Sequence, residues 1–110
     1  MNDNFVTVRQ LLGMGLLAHE VLGGEAGLDR PVRMIVPTVS TTEVGALASC
    51  SLAVFGPEHL AVEDLAADLV LRLGHSVGLS GIIAERPRRP VPLVTRRLAD
   101  KLAVPLIGRS

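Results

Sequence analysis

The chain has 110 residues, of which 48% are hydrophobic and only 2% aromatic, with neither Trp nor Tyr. This length suits one domain with one core, and so much aliphatic surface offsets the entropy lost on folding, which excludes a disordered chain. Eleven basic and eleven acidic residues give a formal net charge of zero. Because neutralising phosphates requires a basic face, this balance disfavours direct contact with nucleic acid.

The sequence predicts a cytoplasmic location without membrane contact. Cys50 is the single cysteine, so an intramolecular disulfide is excluded. The first four residues lack the basic and apolar regions of a signal peptide. Acidic residues interrupt the longest apolar candidate for a membrane span.

The first third of the chain predicts one short helix and two strands. Thr7 can cap a helix that ends near Gly15, because the apolar residues that follow Thr7 lie at helical spacing. Strands are expected over His19–Leu22 and Val32–Val36, separated by a glycine-rich turn.

In the middle of the chain, Thr42 can cap a short helix over 43–49, and Leu52–Phe55 reads as a buried strand. A longer helix is predicted from a leucine stripe at helical spacing, formed by Leu60, Leu65, Leu69 and Leu73. We expect this helix to end between Gly74 and Gly78.

The last third predicts a strand, a helix and a strand. Leu79–Ala84 is continuously apolar, as buried parallel strands are. Pro92 suits the first turn of a helix with apolar residues Leu93, Val94, Leu98 and Leu102, and Val104–Ile107 follows as a strand. The alternation of strands and helices predicts an α/β fold, with a mainly parallel sheet and helices on both of its faces. We expect a single compact domain over residues 1–110, ordered from about residue 5 to residue 107.

Several segments resemble the amino-terminal domain of PucR-type (purine catabolism regulator) transcriptional regulators. They are V-T-V-R-Q-L-L at 6–12, G-E-A-G-L-D-R-P-V-R at 24–33, G-I-I at 81–83 and L-A-V-P-L-I at 102–107. The resemblance extends from about Phe5 to Ile107. It implies a non-enzymatic α/β sensory module in bacterial regulators of purine or related nitrogen catabolism, which acts through homo-oligomers on a separate helix-turn-helix domain. That DNA-binding domain would lie beyond Ser110, unless the chain is a stand-alone relative.

The sequence departs from the family at polar positions. Family members commonly carry Thr-Glu where this chain has Thr38-Val39, Gly-Glu-Leu where it has Cys50-Ser51-Leu52, and Thr-Thr-Gly where it has Phe55-Gly56-Pro57. Two hydroxyls and two acidic groups that could hold a ligand are therefore absent. This leaves open an alternative function, a dimerisation or protein-interaction module of the same fold that uses strand Val21–Leu22 or helix 93–102.

Ligands of open parallel sheets bind outside the carboxyl ends of the strands. There, hydroxyls and Glu43 could hydrogen-bond a small polar metabolite, and Arg86 or Arg88 could hold an anion. The candidate ligand-binding residues are Thr38, Ser40, Thr41, Glu43, Phe55, Gly56, Glu85 and Arg86. A more ordinary interpretation is that the hydroxyls cap a helix and the arginines are solvated.

Neither catalysis nor a cofactor is predicted. Cys50 could act as a nucleophile only with a base within hydrogen-bond reach, and the three histidines show no spacing typical of a triad. No His-x-x-x-His or Cys-x-x-Cys pair indicates a metal site. The glycines at 23, 24 and 27 lack a following helix and a Walker lysine, and so are interpreted as a turn.

Overall fold

A computed structural model describes residues 5–15 and 19–109. The strands are β1 (Val6–Thr7), β2 (His19–Gly23), β3 (Pro31–Val32), β4 (Met34–Thr38), β5 (Ser51–Phe55), β6 (Gly81–Glu85) and β7 (Leu106–Arg109). The α-helices are α1 (Val8–Gly13), α2 (Ala66–Val77) and α3 (Leu93–Leu102), and Glu25–Gly27 and Thr41–Ala46 are 3₁₀ helices. None of the helices in these ranges is long and apolar enough to cross a membrane.

The main sheet has five strands in the order β2-β7-β6-β5-β4. Strands β4 to β7 pair in parallel, and β2 pairs antiparallel with β7 at one edge. Strands β1 and β3 form a separate antiparallel pair. The predicted α/β fold with a mainly parallel sheet is confirmed, and Val21–Leu22 lies on an edge strand as expected.

From β4 to β7, each connection leads to the neighbouring strand of the sheet, and all of them move across the sheet in the same direction. Because such connections are right-handed, all of their helices must lie on one face of the sheet. The larger core cluster shows this arrangement: strand residues Ala53, Phe55 and Ile82 pack with Val44 of the second 3₁₀ helix, Val70 and Leu71 of α2 and Ala99 of α3.

The opposite face of the sheet is covered by α1 and its neighbours. Leu52 and Ile107 pack there against Val8, Leu28 and Val32. Helices therefore lie on both faces, as predicted, but a helix of six residues shields much less of a sheet than α2 and α3 do. Ile35 of β4 remains 56% exposed.

Two predicted elements near the amino end differ in detail. The predicted helix cap is confirmed, because Thr7 Oγ1 accepts from the Gln10 amide at 3.1 Å and the Gln10 side chain accepts from the Thr7 amide at 2.9 Å. The single strand predicted over 32–36 was wrong. It divides at Arg33, because residues 31–32 pair with β1 while 34–38 join the main sheet.

The short helix predicted over 43–49 is a 3₁₀ helix at Thr41–Ala46, and its cap is Ser40 rather than Thr42. Ser40 has the extended backbone of a cap residue, and its Oγ accepts from the Thr42 amide. The chain becomes extended again at Leu47, which ends this helix before 49.

The predicted longer helix is confirmed as α2 and ends at Gly78 as expected, but its start and its buried face differ from the leucine stripe. The helix begins at Ala66, so Leu60 precedes it as a buried residue of the loop, while Leu65 and Leu69 are 86% and 45% exposed. Its buried residues are Ala67, Val70, Leu71 and Gly74, which share a face at helical spacing. The small residues on that face allow close packing. On α3 the buried residues are Thr95 and Ala99, while Leu93 and Val94 are exposed.

Candidate functional site

The polar residues predicted at the carboxyl end of β4 are used within their own loop. The buried Thr38 hydroxyl donates to the Val36 carbonyl oxygen at 2.9 Å. Ser40 caps the 3₁₀ helix that Thr41 begins, and a Glu43 carboxylate oxygen accepts from the Val39 amide at 3.1 Å. Thus Thr38, Ser40 and Glu43 stabilise the loop, which agrees with the capping interpretation.

Phe55 and Gly56 end the neighbouring strand β5. The Phe55 side chain is fully buried in the larger core cluster, so it does not face a ligand at this edge. Its carbonyl oxygen accepts from Arg109 Nη2 at 3.5 Å. At Gly56, a Cβ atom would lie 2.9 Å from Glu58 Oε1 and 3.4 Å from His59 Nδ1, so glycine gives these side chains room.

Glu85 and Arg86, at the end of β6, line a polar depression of about 530 Å³. Its other lining residues are Pro57, Leu60, Ala61, Glu63, Arg88 and Arg89. The Arg89 guanidinium pairs with Asp64 at 3.3 Å, and both groups are exposed. Since two carboxylates and three exposed guanidiniums share this rim, water and opposite charges weaken its attraction for an anion. Of the predicted site residues, only Glu85 and Arg86 meet here.

A second concavity lies on the face of the sheet that the crossover helices leave open. It has a volume of about 350 Å³, and we call it the open-face groove. Its lining residues are Leu11, Leu12, His19, Ile35, Leu52, Val54, Ile83, Ile107 and Arg109. Sequence reasoning missed this groove. The sequence did contain a signal for it. The segments that form β5, β6 and β7 are apolar on both faces, and only one short predicted helix was left to cover the face opposite the longer helices.

Arg109 is the strongly basic residue of the open-face groove. It belongs to β7, and its Nη2 reaches the Phe55 carbonyl at the end of β5, so the side chain crosses over β6. Its Nε atom is buried and has no hydrogen-bond partner. No carboxylate of the described residues lies within 4.0 Å of this guanidinium.

The glycine-rich segment at 24–33 is a structural clasp. Gly24 has a φ of 76°, and its amide donates to Asp100 Oδ1 at 2.7 Å. A Cβ atom on Gly27 would lie 2.0 Å from the Ala103 carbonyl oxygen. The Arg30 guanidinium donates to the carbonyl oxygens of Leu79 and Leu102 at 3.3 and 3.5 Å. These contacts confirm the turn interpretation of the glycines and hold the turn against the end of α3.

Cys50 lies in a tight turn before β5. Its φ is 63°, its amide donates to the Gly78 carbonyl, and its own carbonyl accepts from the Arg33 amide. The half-buried thiol accepts from the Ser49 hydroxyl at 3.6 Å. Across residues 5–15 and 19–109, no three His, Cys, Asp or Glu side chains lie together in a way that could hold a metal ion.

Comparison with known proteins shows similarity to part of one synthase. No protein-family model matches the chain. A 7,8-didemethyl-8-hydroxy-5-deazariboflavin synthase from Gloeobacter violaceus is 35% identical over 100 residues. The match covers 90% of this chain but 30% of that synthase, so the chain spans less than a third of the length of this relative.

Proposed function

We propose that this chain is a non-enzymatic sensory domain of a bacterial PucR-type transcriptional regulator, which binds a small metabolite and controls purine or related nitrogen catabolism. Support comes from the family-like segments at 6–12 and 24–33, which form α1 and the clasp that is held against the end of α3. Similarity to part of a synthase is compatible with this proposal, because one fold can serve both enzymes and regulators.

The open-face groove is the observation that carries a ligand-binding function. Small-molecule sites are concave and mostly apolar, with a few polar groups that orient the ligand, and typical volumes begin at about 300 Å³. The groove has this character, since aliphatic side chains form most of its walls and His19 and Arg109 are its polar lining residues. The polar depression at Glu85 and Arg86 is the second place where a metabolite could bind.

A thermal-shift screen of the purified chain against purines, ureides, carboxylates and amino acids tests the proposal. A ligand that binds the folded form at 100 times its Kd raises the free energy of unfolding by about 2.7 kcal/mol. Loss of the shift in Arg86→Ala would place the ligand in the polar depression, and loss in Arg109→Gln would place it in the groove. Unchanged melting across the whole panel contradicts a sensory function.

The alternative, a dimerisation module, is favoured by aliphatic residues on the outer surface of α2 and α3. The Thr95 hydroxyl donates to Asp68 Oδ1 at 2.9 Å and joins the two helices. Exposed side chains adjoin this contact in sequence, namely Leu65, Leu69, Leu93 and Val94. Light scattering on the same samples tests this alternative, which predicts a concentration-dependent dimer that Val94→Gln weakens and no ligand stabilises.

A further inference from the structure

We infer that the open-face groove binds a small monocarboxylate with an apolar body, and that Arg109 pairs with the carboxylate. This inference rests on the proposed sensory function and names the chemical class of its ligand. The proposed site differs from the one expected from the sequence, which lies at the carboxyl ends of the strands and in which Arg86 or Arg88 would hold the anion.

The walls of the groove select an apolar body. Val54 and Ile83 come from adjacent strands and Leu12 from α1, and none of these side chains carries a hydrogen-bonding group. A purine lying on them would turn its ring nitrogens and carbonyl oxygens toward surfaces that cannot pair with them, which is costly. An aliphatic chain or a benzene ring meets no such penalty.

Arg109 selects an anionic end group. Its buried Nε has no acceptor, and its Nη2 has one long hydrogen bond, to Phe55. A buried donor without a partner is unfavourable, and for a charged group the cost is greater. A carboxylate in the groove would give the Arg109 guanidinium a charge-assisted partner, because its two acceptor oxygens match the spacing of the guanidinium donors.

The surrounding charges favour a single carboxylate over a dianion. One guanidinium lines the groove, and the other arginines of this edge face the polar depression. Glu85 is the register partner of Arg109 on the adjacent strand, although the two side chains form no ion pair within 4.0 Å. The Glu85 carboxylate adds negative charge beside Arg109, so it would repel a dianion more strongly than a monoanion.

Calorimetric titration of the full purified chain with octanoate and with 1-octanol tests the inference, because the two probes share an eight-carbon chain and differ in charge. We expect octanoate to bind at least about tenfold more tightly, a difference of about 1.4 kcal/mol. Arg109→Gln should remove this preference, while the matched variant Arg86→Gln should keep it. Equal affinity for both probes, or a preference that survives in Arg109→Gln, overturns the inference.

A second pair of variants keeps the test valid if Arg109→Gln fails to fold. Ile35 lines the groove and is 56% exposed, whereas its neighbour Met34 is 53% exposed and does not line it. Ile35→Glu places a negative charge in the groove and should weaken octanoate binding about tenfold or more, and Met34→Glu should leave it unchanged. Equal effects of the two variants contradict binding in the groove.

The outcome also separates this inference from the sensory function. If octanoate does not bind, but a metabolite from the screen stabilises the chain and Arg86→Ala abolishes the effect, the groove is overturned and the sensory proposal stands. If neither octanoate nor any member of the panel binds, both are overturned.

Discussion

The Gly24 amide donates to Asp100 Oδ1 at 2.7 Å across 76 positions of sequence. Asp100 lies in the last turn of α3, where the helix dipole disfavours a carboxylate. Asp100 instead makes a tertiary contact, which holds the turn after β2 against the carboxyl end of α3. The glycine-rich segment at 24–33 is therefore part of the architecture, and the candidate ligand sites lie elsewhere.

Replacing Gly24 should destabilise the domain strongly. The φ of 76° disfavours any L side chain, and a Cβ atom would lie 2.1 Å from the Val104 carbonyl oxygen. We expect Gly24→Ala to lower the free energy of unfolding by at least about 2 kcal/mol in urea denaturation. Gly13→Ala is the control, since its Cβ would meet no atom within 4 Å. Equal losses in the two variants would disprove the close approach.

Two leucines of α2 should respond very differently to truncation. Leu71 is fully buried, and Leu69 is 45% exposed although it belongs to the stripe predicted from sequence. Leu71→Ala should cost about 2–5 kcal/mol, and Leu69→Ala less than about 1 kcal/mol. Chemical denaturation of both variants measures the difference. A larger loss for Leu69→Ala would restore the leucine stripe as the core face.

Two fully buried serines should give opposite results on conversion to alanine. Ser51 Oγ has no hydrogen-bond partner, whereas Ser80 Oγ donates to the Pro31 carbonyl oxygen and ties β6 to β3. Ser51→Ala should be neutral or stabilise the domain by up to about 1 kcal/mol, and Ser80→Ala should destabilise it by about 1–2 kcal/mol. Melting temperatures of the pair, measured in one buffer, check the order. A strongly destabilised Ser51→Ala would indicate a partner for that hydroxyl.

The exposed ion pair between Arg9 and Asp29 should stabilise the folded domain slightly, by an amount that depends on pH. Their 2.9 Å hydrogen bond, with the attraction of the Arg9 charge, lowers the pKa of Asp29. The stabilisation is therefore complete above the unfolded pKa of about 3.9 and disappears as the pH falls through the lower folded value. The melting difference between wild type and Arg9→Gln should persist from about pH 7 to pH 5 and vanish in more acidic buffer.

Arg72→Gln is the control for this titration. Arg72 is exposed on α2 and forms no ion pair with any described residue. Its melting difference from wild type should not follow the titration of Asp29. Since both members of the Arg9–Asp29 pair are exposed, added salt should also reduce the effect of Arg9→Gln. A difference that grows toward acidic pH would contradict the assigned direction.

The site was less predictable than the fold. The sequence correctly indicated that polar residues follow β4, β5 and β6, yet Ser40 and Glu43 are used for local hydrogen bonds that any short loop requires. The open-face groove combines side chains from α1 and five strands, so no local pattern describes it. Arg109 reaches Phe55 over 54 positions of sequence, and only the strand order brings the two together.

The sequence by itself determined the α/β class, the cap at Thr7, the glycine turn and the alternation that builds a parallel sheet, because capping, glycine conformation and apolar runs act over a few residues. Tertiary structure decided which apolar residues are core. Leu65 and Leu93 are apolar but exposed, whereas the buried residues of α2 and α3 include the small Ala67, Thr95 and Ala99. It also decided that the crossover helices share one face, since handedness and strand order act together, and this leaves the groove open on the other.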